Sequence, residues 1–245
     1  MGKNCWALIT GASRGIGRAI AEKLSVDGYS LYLHYHRGKK EIEEVSECCL
    51  SNGVTTKIIQ ADLRNYNGIL EIEEQIKDNP PSILINNAGS SLYGLMTDVT
   101  KEQWDEMIHL HLQAPFFLIQ AVSSSMIRAK FGRIVNISSV WGIHGAACEV
   151  VYSTVKGGLN TMTKALAKEL APSGITVNAI APGVIETEMI TLSFTSEEIA
   201  DIVKEIPVGR MGRAEEIASL VSHLVSPNSS YITGQIISVN GGWYL

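Results

Sequence analysis

Thr10-Gly11-Ala12-Ser13-Arg14-Gly15-Ile16-Gly17 is the stretch on which the fold of this chain turns. It follows an apolar run that starts at Cys5, and it opens a segment in which Ile16, Ile20 and Leu24 recur at four-residue steps until Gly28. That spacing predicts a helix with a stop near Gly28. Glycines between a strand and a helix permit a tight turn and a close approach of phosphate to the backbone, and the helix start adds free N–H groups with partial positive charge. A glycine-rich turn alone is weak evidence of nucleotide binding; strand, glycines and helix in that order make it specific.

Outward from this turn, short apolar runs alternate with longer helical patterns. Strands are expected at Cys5–Thr10, Tyr29–Leu33, Val54–Gln60, Ser82–Ile85, Gly132–Ile137, Ile175–Ile180 and Ile236–Val239. Most are apolar throughout, as strands covered on both faces are. The longest helical stripe, Val155, Leu159, Met162, Leu166 and Leu170, ends near Pro172. The alternation predicts an α/β fold: one Rossmann-type, doubly wound domain over residues 1–245, with a seven-stranded parallel sheet and helices on both faces. Residues 187–212 interrupt it, either as a lid over a site or as a surface excursion. Lys39 to Glu47 reads as the solvated face of a helix.

Composition bounds the rest. With 245 residues, 45% of them hydrophobic and 18% charged, the chain is an ordinary globular domain that needs no disulfide or metal staple. A net charge of −5 gives no reason to expect nucleic acid or an anionic membrane as partner. Cys5, Cys48, Cys49 and Cys148 follow no metal-ligand spacing and are expected as free thiols. The first apolar run is too short for a signal-peptide core, and none approaches a membrane span, so a cytoplasmic protein is expected.

NAD-binding turns of this kind place an acidic residue about 20 positions after the glycines, on the ribose 2′-hydroxyl. Here His34-Tyr35-His36-Arg37 stands at the end of the second strand, with no acid before Glu41. Arg14 and Arg37 are either surface arginines or ligands of a 2′-phosphate, and the missing acid tips the expectation to NADP(H).

Tyr152 and Lys156 lie one helical turn apart and share a face. A phenol with pKa about 10 is a poor acid–base group at neutral pH; an ammonium beside it is expected to lower that value. Ser139, after the Gly132–Ile137 strand, is expected to orient a substrate carbonyl. Position gives this common pair its weight, because the ends of the strands define the crevice of such a fold.

These residues resemble the short-chain dehydrogenase/reductase superfamily over essentially the whole chain, and most closely the bacterial 3-oxoacyl-acyl-carrier-protein reductases. The resemblance rests on Thr10–Gly17, Ala61-Asp62-Leu63, Asn86-Asn87-Ala88-Gly89, Ser139 with Tyr152 and Lys156, Asn178, Pro182-Gly183-Val184-Ile185-Glu186-Thr187, Pro207-Val208-Gly209-Arg210 and Asn240-Gly241-Gly242. It implies NADP(H) held by Gly11, Ser13, Arg14, Gly15, Ile16, Gly17 and Arg37, with Asp62 and Leu63 toward the adenine. Asn87, Ala88 and Gly89 would line the nicotinamide side, with Pro182, Gly183, Ile185 and Thr187 at the nicotinamide end. Tyr152 would donate a proton, Ser139 would bond the same oxygen, and Lys156 would hold the nicotinamide ribose. Asp62 reads equally as the N-cap of the next helix, and Asn86–Gly89 as a turn. A homotetramer is implied as well.

Two positions near the site depart from the family pattern, and a basic pair invites a docking reading. Where most members have an asparagine seven residues after a tryptophan, Trp104 is followed by His111, either a proton relay or a neutral residue filling the site. Glu149 stands where the carrier-protein reductases often have glutamine; pointing outward is the expectation, entering the pocket the alternative. Arg128 and Lys130, expected at a helix end next to the site, are either a docking patch for an acidic carrier protein or a solvated helix end. Trp243-Tyr244-Leu245 belongs to a subunit contact or tucks into its own subunit. The expected activity is reduction of 3-oxoacyl-acyl-carrier-protein in fatty acid synthesis. The alternatives are a reductase of another small ketone, aldehyde or secondary metabolite, and a non-catalytic NADP(H)-sensing protein.

Overall fold

The structure, a computed structural model, describes residues 5–187 and 195–244. Its seven strands form one parallel sheet in the order β3-β2-β1-β4-β5-β6-β7. They are β1 (Trp6–Ile9), β2 (Ser30–Tyr35), β3 (Thr56–Gln60), β4 (Ile83–Asn86), β5 (Gly132–Ile137), β6 (Ile175–Pro182) and β7 (Ile236–Val239). All seven expected strands are present, with shifted ends. β2 extends to Tyr35 because it pairs with β3 as far as Gln60, and β6 extends to Pro182 because it pairs with Val239 of β7.

The connecting helices are α1 (Gly15–Val26), α2 (Lys39–Ser51), α3 (Tyr66–Ile76), α4 (Lys101–Ile108), α5 (Ala114–Ala129), the short α6 (Trp141–His144), α7 (Val150–Leu170), α8 (Ser196–Glu205) and α9 (Ala214–Val225). Alternation of side chains along each strand feeds two cores. Ala7, Ile9, Leu31, Leu33, Ile83 and Ile85 face α1, α2 and α9, where they meet Ile20, Leu24, Ile42, Val45 and Val221. Leu8, Tyr32, Leu84 and Ile134 face the other way, onto Ile69, Ile72, Leu118, Val122 and Ala167 of α3, α5 and α7. On α7 the buried stripe is Val155, Leu159, Thr163, Ala167 and Leu170, with Met162 and Leu166 only half-buried. α1 ends at Val26, and Gly28 follows with φ +88°, a left-handed conformation that suits glycine.

The chain reverses its direction of winding between β1 and β4, which places a crevice at their carboxyl ends. The segment 187–212 is tied at its base. Ile185 bridges Gly212, Glu186 N donates to Gly212 O at 2.8 Å, and Gly212 N donates to Val184 O at 2.9 Å. It carries α8, which starts in a capping box formed by Thr195 and Glu198; residues 188–194 of the expected lid lie outside the described residues. No described helix is long and apolar enough to cross a membrane. Among the described residues no group of His, Cys, Asp or Glu could hold a metal ion.

Candidate active site

The glycine turn lies at the crevice. Gly11 and Gly15 have φ of +67° and +54°, and a Cβ on Gly17 would stand 2.0 Å from Gly11 O, so the turn closes only without side chains there. Ser13 is buried in it, while Ile16 is half-buried against the first core. Asn87 joins the two crevice strands: its Nδ2 donates to Thr10 O and Gly11 O at 2.9 and 3.0 Å, while Asn87 N and Ala88 N both donate to Thr10 Oγ1 at 2.9 Å. The second side of the turn is held by β2. Gly11 N donates to His34 Nδ1 at 3.1 Å and Ala12 N to His34 O at 2.8 Å. Thr187 stands over Gly15, its Cγ2 3.4 Å from where a Cβ would lie. Arg14, at the start of α1, and Arg37, just past β2, are both exposed at this edge.

Asp62 is engaged by Arg64. Arg64 Nε donates to Asp62 Oδ1 at 2.9 Å and Nη2 to Oδ2 at 2.8 Å, and Arg64 Nη1 reaches Glu106 at 3.4 Å. The guanidinium holds the Asp62 carboxyl down at about 2. The N-cap of α3 is Asn65, which accepts from Gly68 N at 3.1 Å, so the alternative of Asp62 as that cap is corrected. Leu63 and Ile185 bury their side chains in the cores. Only their backbones remain for a ligand.

Beyond β5, Trp141 N donates to Ser139 Oγ at 3.2 Å, and the serine hydroxyl bonds Tyr152. Burial pushes the Tyr152 phenol up to about 12, against the smaller lowering by Ser139. Lys156 is buried, its Nζ donates to Ile137 O at 2.8 Å and lies 5.6 Å from the Tyr152 ring centroid, and desolvation lowers it to about 7. The expected net depression of the phenol is not seen, because burial outweighs the lowering by Ser139. Burial acts on both groups, and each is driven toward its neutral form.

His111 occupies a π turn, His109–Gln113, between α4 and α5. Its ring packs edge-to-face on Tyr152 with centroids 5.7 Å apart. Nε2 donates to Ser90 O at 2.9 Å, and Nδ1 is buried with no partner. Desolvation first, and the Lys156 charge second, hold it well below its ordinary value; the imidazole is neutral. Gly89 accommodates this ring, since a Cβ there would come within 2.8 Å of His111 Cε1. Pro182 O accepts from Val140 N at 3.0 Å, and Gly183 N donates to Val239 O at 2.9 Å, which fixes the strand ends beside Ser139.

Two placements differ from expectation. Glu149 faces inward: its carboxyl accepts from the Trp141 side chain, is raised by burial, and its charge bears on Tyr152. Arg128 and Lys130 precede the first residue of β5, whereas Ser139 follows its last. The strand's six residues separate them within one chain by about 20 Å, so they are not next to this site. The carboxyl-terminal rings pack within their own chain, Trp141 against Trp243 at 5.1 Å and against Tyr244 at 5.3 Å; Leu245 lies outside the described residues. Arg64, Trp141 and the bond of His34 to the turn were not singled out from sequence. The available signal was an ionisable side chain inside an otherwise apolar strand at His34, and an arginine two residues after the Asp62 carboxylate.

A glycine cradle at the crevice, with a Ser–Tyr–Lys cluster beyond the fifth strand, defines a dinucleotide-dependent oxidoreductase of a single Rossmann-type domain. Residues 11–244 match the family model described as enoyl-(acyl carrier protein) reductase, and the chain belongs to the short-chain dehydrogenase/reductase family. It is 47% identical over 242 residues to the uncharacterized oxidoreductase YmfI of Bacillus subtilis (98% of this chain, 99% of that one). It is 42% identical over 241 residues to the 3-oxoacyl-[acyl-carrier-protein] reductase FabG of Aquifex aeolicus (97% and 96%). Among solved structures it resembles YwfH, an NADPH-dependent reductase involved in bacilysin biosynthesis, with a TM-score of 0.92, 30% identity and 98% of each chain covered. The chain is thus an oxidoreductase of this family that uses a nicotinamide cofactor.

Proposed function

We propose that the chain is an NADPH-dependent carbonyl reductase acting on 3-oxoacyl thioesters, with the acyl-carrier-protein-bound form as its natural substrate. The observation that carries the reaction type is the geometry of the Ser139–Tyr152–Lys156 cluster: a protonated phenol bonded to a serine hydroxyl, with a buried lysine Nζ 5.6 Å from its ring, can give a proton to a carbonyl oxygen. When bound, the nicotinamide would supply a hydride for the carbonyl carbon. Tyr152 gives its proton to the carbonyl oxygen, and Ser139 bonds that oxygen and steadies the phenolate left behind. Lys156, as ammonium, holds the nicotinamide ribose and compensates the phenolate. Gly11, Gly15 and Gly17 with the start of α1 take the pyrophosphate. Arg14 and Arg37 take the 2′-phosphate.

The thioester assignment leans on the carrier-protein reductase relative. The inward carboxyl of Glu149 favours a second reading, a small polar ketone. Initial rates of NADPH and NADH oxidation with acetoacetyl thioesters and with simple ketones separate the two. Thioester turnover with NADPH at least about tenfold above NADH, a barrier difference of ~1.4 kcal/mol, is expected. Preference for simple ketones moves the assignment to the second reading, and equal use of both cofactors removes the NADPH preference.

A further inference from the structure

β2 is buried along its whole length and is apolar except for its small first residue, Ser30, and His34. An imidazole there, 2% exposed, would lose hydration without return unless both ring nitrogens were bonded. They are. Nδ1 accepts from Gly11 N at 3.1 Å, and Nε2 donates to Ala61 O at 3.2 Å. The two partners fix the tautomer, with the proton on Nε2 and a bare Nδ1.

What the ring joins gives this arrangement its meaning. Gly11 opens the phosphate turn in a left-handed conformation, while Ala61 directly follows β3 and leads into Asp62. The imidazole thus spans from the turn after β1, through β2, to the end of β3. We infer that His34 is a positioning residue for the nicotinamide dinucleotide: its bare Nδ1 holds the first amide of the glycine turn in its ligand-ready conformation, and its Nε2–H ties that turn to the adenine side of the site. This rests on the cofactor reading above. Burial lowers the imidazole to about 4, which keeps it neutral and its acceptor available. The titratable groups that bear on it are His36, just past β2, and Asp62, beyond β3; on the turn side its partner is an uncharged amide.

Side-chain amides separate the two bonds. Asparagine places an oxygen near the position of Nδ1, and glutamine places a donor near the position of Nε2. Calorimetric titration of NADP⁺ and NAD⁺ into the full chain at neutral pH is the test, with wild type beside His34→Asn, His34→Gln and His34→Leu. Long-range ¹H–¹⁵N spectra of wild type should report the Nε2–H tautomer. Removing the acceptor strands a buried amide, so His34→Leu and His34→Gln should weaken NADP⁺ binding by about tenfold or more, whereas His34→Asn should stay within about threefold of wild type. Where His34→Leu does not fold, the asparagine and glutamine variants decide. Equal affinity of all variants, an asparagine variant as weak as the glutamine one, or an Nδ1–H tautomer overturns the inference and leaves the cofactor reading intact. If the wild type binds neither dinucleotide, the cofactor reading fails and the inference with it.

Discussion

A phenol and an amine one helical turn apart can be tuned in opposite senses, and in this site burial does most of that work. Tyr152, held at about 12, is protonated at any working pH, as a donor in reduction must be. Lys156, at about 7, changes charge in the working range. For Tyr152→Phe the expectation is loss of turnover by about 100-fold or more with dinucleotide binding kept, the scale of general-acid catalysis; retention of most activity in steady-state assays would remove the tyrosine from its role. If the ammonium carries function, kcat/KM for reduction is highest below the Lys156 value and falls as pH rises through about 7. A flat profile between pH 6 and 9 counts against that role. His111, held well below its ordinary value by burial, is bonded to Ser90 and packed on Gly89, which favours a ring that fills the site over a charged relay. His111→Asn is expected to keep turnover within about threefold, less than ~1 kcal/mol of barrier; a collapse in stopped-flow rates would show that the ring takes part.

At the scale of elements, the glycine turn and α1 act as one unit. A methyl on Gly17 would meet Gly11 O and Asn87 Nδ2 at 2.0 and 2.6 Å, atoms of the backbone and of the side chain joining β1 to β4. Gly17→Ala should therefore cost stability and dinucleotide affinity together, by at least ~1 kcal/mol and about tenfold, read by urea titration and calorimetry; an unaltered affinity would mean that the turn has slack. This unit was legible in the sequence because glycine spacing and helical period are local signals. The alternating strands were legible for the same reason, and their ends were not, because pairing with a neighbour sets where β2 and β6 stop. The inward turn of Glu149 depends on how the loop between α6 and α7 folds back on Trp141, and the bonds of His34 depend on Ala61, a residue distant in sequence. The helix end at Arg128 and Lys130 was misjudged because a sequence does not say at which edge of the sheet a connection lies.

Across the whole molecule, buried neutral imidazoles link folding to acidity. Ordinary histidine takes up a proton near pH 6.5, whereas native His34 resists until about 4 and His111 is also held low. The unfolded chain therefore binds more protons in that window, so the stability these rings contribute is complete above about pH 6.5 and falls as pH drops toward about 4. Lys156, lowered by burial to about 7, adds a loss of the same sign as pH falls from about 10 toward about 7. Below about pH 4, loss continues as Asp62, held at about 2 by Arg64, is protonated. Urea midpoints measured from pH 8 to 4 should decline through the lower end of the Lys156 window and then through the histidine window; a midpoint constant between pH 6.5 and 4 would contradict the burial of these rings. Bound dinucleotide should raise the melting temperature, by the equivalent of about 2.7 kcal/mol at a hundredfold excess over Kd.

The ring cluster beside α6 has an optical consequence. Of the four tryptophans, Trp141 and Trp243 pack edge to face near the Ser139–Tyr152 pair, while Trp6 pairs with Tyr32 at the start of β1, the opposite edge of the sheet. Reduced nicotinamide absorbs where indole emits. The protein thus carries its own energy-transfer gauge, weighted to the indoles that border the reacting groups, and single Trp→Phe replacements would tell which of them reports the occupied state.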